Sequence, residues 1–179
     1  AHWAAEPEIL KSFATHYETG EVMPDELIEK VLKASKFNQG FANTEYLAAS
    51  LLDMNWHTIK ADEDMKDANA FEAAAMAKIG LIDEIAPRYR STYFAHIFSG
   101  GYASGYYSYV HSAVLDSDGF EAFKETGDVF DQKLAAKLRT HVYEKGSTEE
   151  AMELYTQFRG RQPKIDALLK VRGLDSSAD

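Results

Sequence analysis

Cysteine is absent from this 179-residue chain, which rules out disulfides and thiolate metal sites. No apolar run approaches the roughly 20 residues that a membrane-spanning helix needs. Basic residues are in deficit: 19 lysines and arginines stand against 29 aspartates and glutamates, a formal charge of −10. That balance argues against a nucleic-acid backbone as partner. Strand-like alternation is missing beyond short segments, and there is no internal repeat, low-complexity tract or opening signal peptide. What the chain does have is 45% hydrophobic residues, enough for a core. Its length suits one domain or one lobe of a larger one.

The apolar residues recur with helical spacing. Pro7 suits a first turn, with Ile9, Leu10, Phe13 and Tyr17 following and Gly20 as the stop. Pro24 restarts a helix with Asp25 and Glu26 in its first turn, where carboxylates complement the dipole, and Gly40 closes it. Thr44 caps the next predicted helix, to about residue 61, with Leu47, Leu51, Met54 and Thr58 on one side. Asp53 and His57, four apart, face the same way. They read either as a carboxylate-oriented histidine or as a plain surface or core pair. The acidic run 61–67 reads as a solvated connection. Further helices are predicted over 71–79, over 110–123 with a break near 116–119, and over 131–143. Two more follow, one from a Ser147-Thr148-Glu149-Glu150 cap to Phe158 and one from Pro163 to Gly173. The Ser/Ala/Asp tail is expected to fray. The prediction is an all-α chain.

The densest feature lies within 87–115, which holds six of the ten tyrosines: Tyr89, Tyr93, Tyr102, Tyr106, Tyr107 and Tyr109. His96, Gly100, Gly101 and Gly105 sit among them. Gly100 and Gly101 can take backbone angles closed to other residues, which predicts a pliable loop. From Tyr102 the spacing turns helical, placing Tyr102, Tyr106 and Tyr109 within about 60° of one another on one face. Phenol hydroxyls and an imidazole gathered around a glycine turn can donate hydrogen bonds to a developing oxyanion. The same spacing also describes an aromatic stripe packed in a helical core.

Tyr93-Phe94-Ala95-His96-Ile97-Phe98-x-Gly100-Gly101-Tyr102-Ala103-x-Gly105-Tyr106-Tyr107-x-Tyr109 resembles the signature of the thimet oligopeptidase family of zinc metallopeptidases. Leu51-Leu52-Asp53-Met54-x-Trp56-His57 and Phe158-Arg159-Gly160-Arg161-x-Pro163-Lys164 resemble its bacterial peptidyl-dipeptidase (dipeptidyl carboxypeptidase) branch. The resemblance runs from His2-Trp3 to Gly173-Leu174. It implies a peptidase that releases dipeptides from the C-termini of oligopeptides. It also implies that His96, Tyr102 and Tyr109 are catalytic, binding substrate and stabilising the tetrahedral intermediate. Tyr106 would lie in the same cleft, and Gly100 and Gly101 would let Tyr102 close over substrate and reopen.

Such an enzyme holds zinc through a His-Glu-x-x-His helix. None of the six histidines here stands three or four residues from another, so that motif is absent and no metal ligand is assigned in this chain. The resemblance implies that the motif lies upstream, making residues 1–179 the C-terminal helical part of the catalytic domain. Zinc would then belong to the intact enzyme, and the partners would be the upstream part and an oligopeptide. The compartment implied is the cytoplasm, with the periplasm as the alternative. Relatives usually carry tryptophan where His111 stands, two residues after Tyr109, a change expected to alter packing behind the tyrosines. Arg88, Arg90, Arg159 and Arg161 could pair with a substrate carboxylate or form structural salt bridges. The alternative to an enzyme is a non-catalytic helical module that binds peptide.

Overall fold

The computed structural model describes residues 2–61 and 67–175. The acidic connection and the tail expected to fray lie, apart from their edges, outside them. The helices are α1 (Pro7–Phe13), α2 (Asp25–Ser35), α3 (Gln39–His57), α4 (Ala68–Lys78), α5 (Ala95–Phe98), α6 (Ser108–Thr126), α7 (Gln132–Leu138), α8 (Ala151–Arg159) and α9 (Asp166–Arg172). Short 3₁₀ turns occupy His2–Ala5 and Ser91–Tyr93, and α7 runs on into a π-turn at Arg139–Tyr143. Among the described residues the only extended pairing is a single bridge, Thr15 with Val22. The expected all-α class holds. No helix among these residues is long and apolar enough to cross a membrane.

The chain forms two compact units, one from Ala1–Phe37 with Ala113–Asp179 and one from Asn38–Ser112. In the Asn38–Ser112 unit, α3 starts five residues ahead of the expected Thr44 cap. Asn38 takes the left-handed conformation there (φ 57°), which asparagine tolerates better than most residues, and Gly40 is absorbed into the helix. The buried face of α3 is Ala48, Ala49, Leu52 and Asp53, whereas the expected stripe of Leu47, Leu51 and Met54 is exposed. Alanines on the inner face let neighbours approach closely. Ala75 and Met76 of α4 pack on Ala48 and Leu52, and Phe94, Ile97 and Tyr106 pack on Ala49. Trp56 touches both clusters. The side chain of Asp67 caps α4 by accepting from Ala70 N at 2.8 Å.

The other unit corrects several boundaries. Helix α1 ends at Phe13 because the chain turns into the Thr15–Val22 bridge, which leaves Tyr17 exposed rather than on a helix face. Helix α8 starts at Ala151 behind Glu150, which makes no side-chain cap bond, and α9 starts three residues after Pro163. The expected break at 116–119 does not occur. Helix α6 passes straight through, since Ser117 and Asp118 are buried and Asp116 bonds His2 Nε2 at 2.8 Å. Ala122, Phe123, Tyr155 and Phe158 form the core, with Trp3 edge-on to Phe123 at 5.2 Å.

Asp118 is the polar centre of that core. It accepts from Tyr155 Oη at 2.7 Å and from both terminal nitrogens of Arg161, at 3.1 and 2.7 Å. Arg159 Nε lies 3.3 Å from the same carboxylate, outside hydrogen-bond geometry, while its fork grips Glu125 at 2.8 and 2.6 Å. Burial alone would raise the Asp118 pKa, but hydrogen bonds from Arg161 and Tyr155 and the Arg159 charge outweigh it and hold the carboxyl below its ordinary value. Burial and the bond to Asp118 push the Tyr155 phenol well above its usual range. Asp118→Asn is therefore expected to cost about 1–3 kcal/mol at neutral pH by removing the charged acceptor shared by Arg161 and the buried Tyr155 hydroxyl. Because the folded carboxyl is the stronger acid, its contribution is complete above about pH 3.9 and is lost as the pH falls through the folded value. Urea titrations should show the gap between wild type and variant closing as the pH is lowered past that point.

Candidate functional site

The aromatic segment is seated by its apolar residues. Phe94 and Ile97, three apart, are buried against Ala49, which turns the single-turn helix α5 so that His96 stays half-buried. The imidazole packs against Tyr89 at 4.7 Å, Tyr106 at 5.7 Å and Tyr102 at 6.1 Å. After Ser99 the chain folds back, and Tyr102 N donates to His96 O at 3.2 Å. A Cβ on Gly100 would stand 2.8 Å from that same oxygen, whereas one on Gly101 would meet nothing within 4 Å. Glycine is needed at 100 for close approach. Neither glycine has a positive φ, contrary to the expectation of unusual backbone angles; the left-handed residue is Ser104 (φ 55°).

Two buried carboxylates fix this segment. Glu72 of α4 pairs with Arg90 and accepts from Ser91 N at 2.6 Å, and Ser91 Oγ accepts from Trp56 Nε1 at 2.9 Å. Asp53 of α3, 0% exposed, accepts from Ser104 N at 3.0 Å and Tyr106 N at 2.9 Å, the amides either side of Gly105. His57 completes the set: its Nδ1 is 2.8 Å from Asp53 Oδ1 and 2.9 Å from the Asp53 carbonyl. Both of those atoms only accept, so Nδ1 carries the proton.

These bonds overturn one expectation. Residues 102–107 form successive turns, not the start of a helix; Gly105 N bonds Tyr102 O at 2.8 Å and α6 begins only at Ser108. The three tyrosines therefore do not share a helix face. Tyr106 is 3% exposed, edge-on to Phe94 at 4.9 Å and stacked with Tyr46, whose hydroxyl donates to Tyr106 O at 2.6 Å. Burial, then Tyr89 and Tyr46, push its phenol up to about 12 against an opposing Arg88. Tyr102 and Tyr109, 36% and 42% exposed, stack on each other with ring centroids 4.9 Å apart. The neighbouring Tyr102 phenol, followed by partial desolvation, raises the Tyr109 pKa above its ordinary value. The arrangement offers two neutral phenol donors beside an imidazole at the surface of the unit. Among the described residues neither nitrogen of His96 has a hydrogen-bond partner.

His111 is exposed on the first turn of α6. Arg88 pairs with Glu45 at 3.2 Å and Arg90 with Glu72; Arg159 and Arg161, in the other unit, pair with Glu125 and Asp118. Each of the four arginines thus has a protein carboxylate, as the structural alternative had it. No three His, Cys, Asp or Glu side chains gather as a metal would need among the described residues. The zinc implied by the resemblance does not fit within them. Asp53 is the residue the sequence undervalued. Its one signal is an aspartate, four residues from a histidine, on a helix side otherwise lined by Ala48, Ala49 and Leu52.

Comparison with known proteins gives the family. The chain belongs to Peptidase family M3, whose sequence profile matches residues 1–174. It is 43% identical to the dipeptidyl carboxypeptidase of Escherichia coli (strain K12) over 175 residues, which cover 97% of this chain and 26% of that protein. It is 35% identical to the oligopeptidase A of the same strain over 178 residues, 97% of this chain and 25% of that protein. Saccharolysin of Saccharomyces cerevisiae (strain ATCC 204508 / S288c) is 29% identical over 177 residues, 97% and 24% of the respective lengths. The chain spans about a quarter of the length of the curated relatives it matches.

The two glycines should respond differently to the same change. Gly100→Ala must displace the His96 carbonyl and is expected to cost about 1–3 kcal/mol. Gly101→Ala should stay within about 0.5 kcal/mol of wild type. Thermal unfolding of both variants checks this; equal shifts would mean that close approach at Gly100 is not what requires glycine.

Proposed function

We propose that this chain is the C-terminal part of the catalytic domain of a zinc metallopeptidase that releases dipeptides from the C-termini of oligopeptides. On this reading it supplies the wall of the substrate cleft that carries Tyr102, Tyr109 and His96. The supporting observation is the stacked Tyr102–Tyr109 pair, partly exposed beside His96. A dipeptidyl carboxypeptidase is among its similar relatives.

The chemistry assigned to these residues is hydrogen-bond donation. When a peptide carbonyl becomes tetrahedral its oxygen takes on negative charge, and a donor placed for that charge stabilises the transition state more than the substrate. A phenol suits the task because it stays neutral at physiological pH, and Tyr109 is held further toward that form. His96, with both nitrogens unengaged, can donate to or accept from the peptide backbone. Gly100 and Gly101 let the main chain carry Tyr102 close to bound peptide. Tyr106, in the core, supports the turn from beneath. Zinc in the intact enzyme would rest on ligands in the upstream part, which with the oligopeptide is the partner proposed here. The compartment that fits is the cytoplasm.

In the intact enzyme, Tyr102→Phe is expected to lower kcat about 100-fold while KM stays within a few-fold, since the lost donor acts in the transition state. Steady-state kinetics on a blocked oligopeptide measures both; an equal loss in both, or none, counts against the oxyanion role. The 179-residue chain alone should release no dipeptide from the same substrate. Hydrolysis that co-purifies with it free of any upstream segment would favour a different catalytic apparatus.

A further inference from the structure

We propose that Asp53 is a positioning residue for this site, acting through the turn that carries Tyr102; the proposal rests on the oxyanion reading of Tyr102. Asp53 touches neither tyrosine hydroxyl. Its carboxylate, fully buried on α3, binds Ser104 N and Tyr106 N at 3.0 and 2.9 Å. Those two amides bracket Gly105, whose own N–H closes the turn onto Tyr102 O at 2.8 Å. The carboxylate is thus one residue removed on either side from the peptide that fixes Tyr102. His57 Nδ1 lies 2.8 Å from Asp53 Oδ1, the same oxygen that accepts from Ser104 N.

Ser104 is held at φ 55°, a left-handed conformation that is unfavourable for a non-glycine residue. Without an acceptor for its amide, the turn would relax toward ordinary angles. Tyr106 N is buried, so it would either lose its partner or pull the ring of Tyr106 out of the Phe94 cluster. Either movement shifts Tyr102 relative to Tyr109, and a displacement of about 1 Å at a reacting group can cost about 100-fold in rate.

The test combines amide exchange with a mutant cycle. In Asp53→Asn the second carboxylate oxygen becomes an amide group that faces an N–H. Exchange of the Ser104 and Tyr106 amides in the chain should then speed up about tenfold or more, while the amides of Ala48 and Leu52 keep their protection. Should that variant not fold, His57→Gln withdraws one brace and should raise exchange at the same two amides about threefold. In the intact enzyme, Asp53→Asn should lower kcat about tenfold or more with little change in KM. Added to Tyr102→Phe it should cost little further, because both act through one hydroxyl. Unchanged exchange at Ser104 and Tyr106, or losses that simply add, would overturn the proposal. If Tyr102→Phe leaves turnover intact, the oxyanion reading fails and the positioning role fails with it. Fast exchange at the two amides would then still show that Asp53 holds the turn, which separates the two failures.

Discussion

Placing an ionised carboxylate inside a protein costs several kcal/mol, and the cost is met only when its lone pairs are filled with good geometry. Asp53 is fully buried, and its two oxygens take the N–H groups of Ser104, Tyr106 and His57. The turn between Gly100 and Tyr107 is therefore tied to the rotation of α3 about its axis. A helix rotated by one residue would point Asp53 away and leave two amides without a partner. Ala48 and Ala49, on the same side, fix that rotation by letting α4 and the Phe94 cluster pack close. Aliphatic packing sets the helix, the helix sets the carboxylate, and the carboxylate sets the tyrosine turn.

The same solution appears elsewhere in the chain. Glu72 and Asp118 are also buried among the described residues, and each binds groups distant in sequence: Arg90 and the Ser91 amide for one, Tyr155 and Arg161 for the other. A surface ion pair would add little. These pairs are different, because removing the basic partner leaves a carboxylate in the core with its charge unpaired. Part of the acidic excess is consequently internal structure, not a solvated coat.

That explains which features could be read from the residue order. The all-α class was legible, since helical spacing of apolar residues is local information. So was the family, through the resemblance of the aromatic segment to a peptidase signature. The path of residues 102–107 was not. Tyr102, Tyr106 and Tyr109 have helical spacing, yet the amides that would have joined a helix are committed to Asp53, about fifty positions away. The predicted break at 116–119 failed for a related reason. Asp116, Ser117, Asp118 and Gly119 look like turn residues, but Asp118 is an ion-pair centre whose partners lie near residue 160. The inner face of α3 was missed because Ala48, Ala49 and Asp53 carry less apolar weight than Leu47, Leu51 and Met54, which are exposed.

The division among the three tyrosines follows from where hydrogen-bond partners are available. Tyr106 contributes its backbone to Asp53 and to Tyr46, so its ring is drawn into the core among Phe94, Tyr46 and Tyr89. A phenol so enclosed is a prop, and the pKa of about 12 reflects that enclosure. Tyr102 has no buried carboxylate partner: its amide bonds His96 O, its carbonyl accepts from Gly105 N, and its partly exposed ring stacks on Tyr109. Its neighbours Gly100, Gly101 and Ala103 are exposed. The turn thus joins an end held by a buried carboxylate, at Ser104–Tyr106, to an end without one, at Tyr102. On the proposed reading, a donor that approaches a changing substrate and then releases it is served by that combination: a fixed pivot, a short lever and a partly exposed hydroxyl.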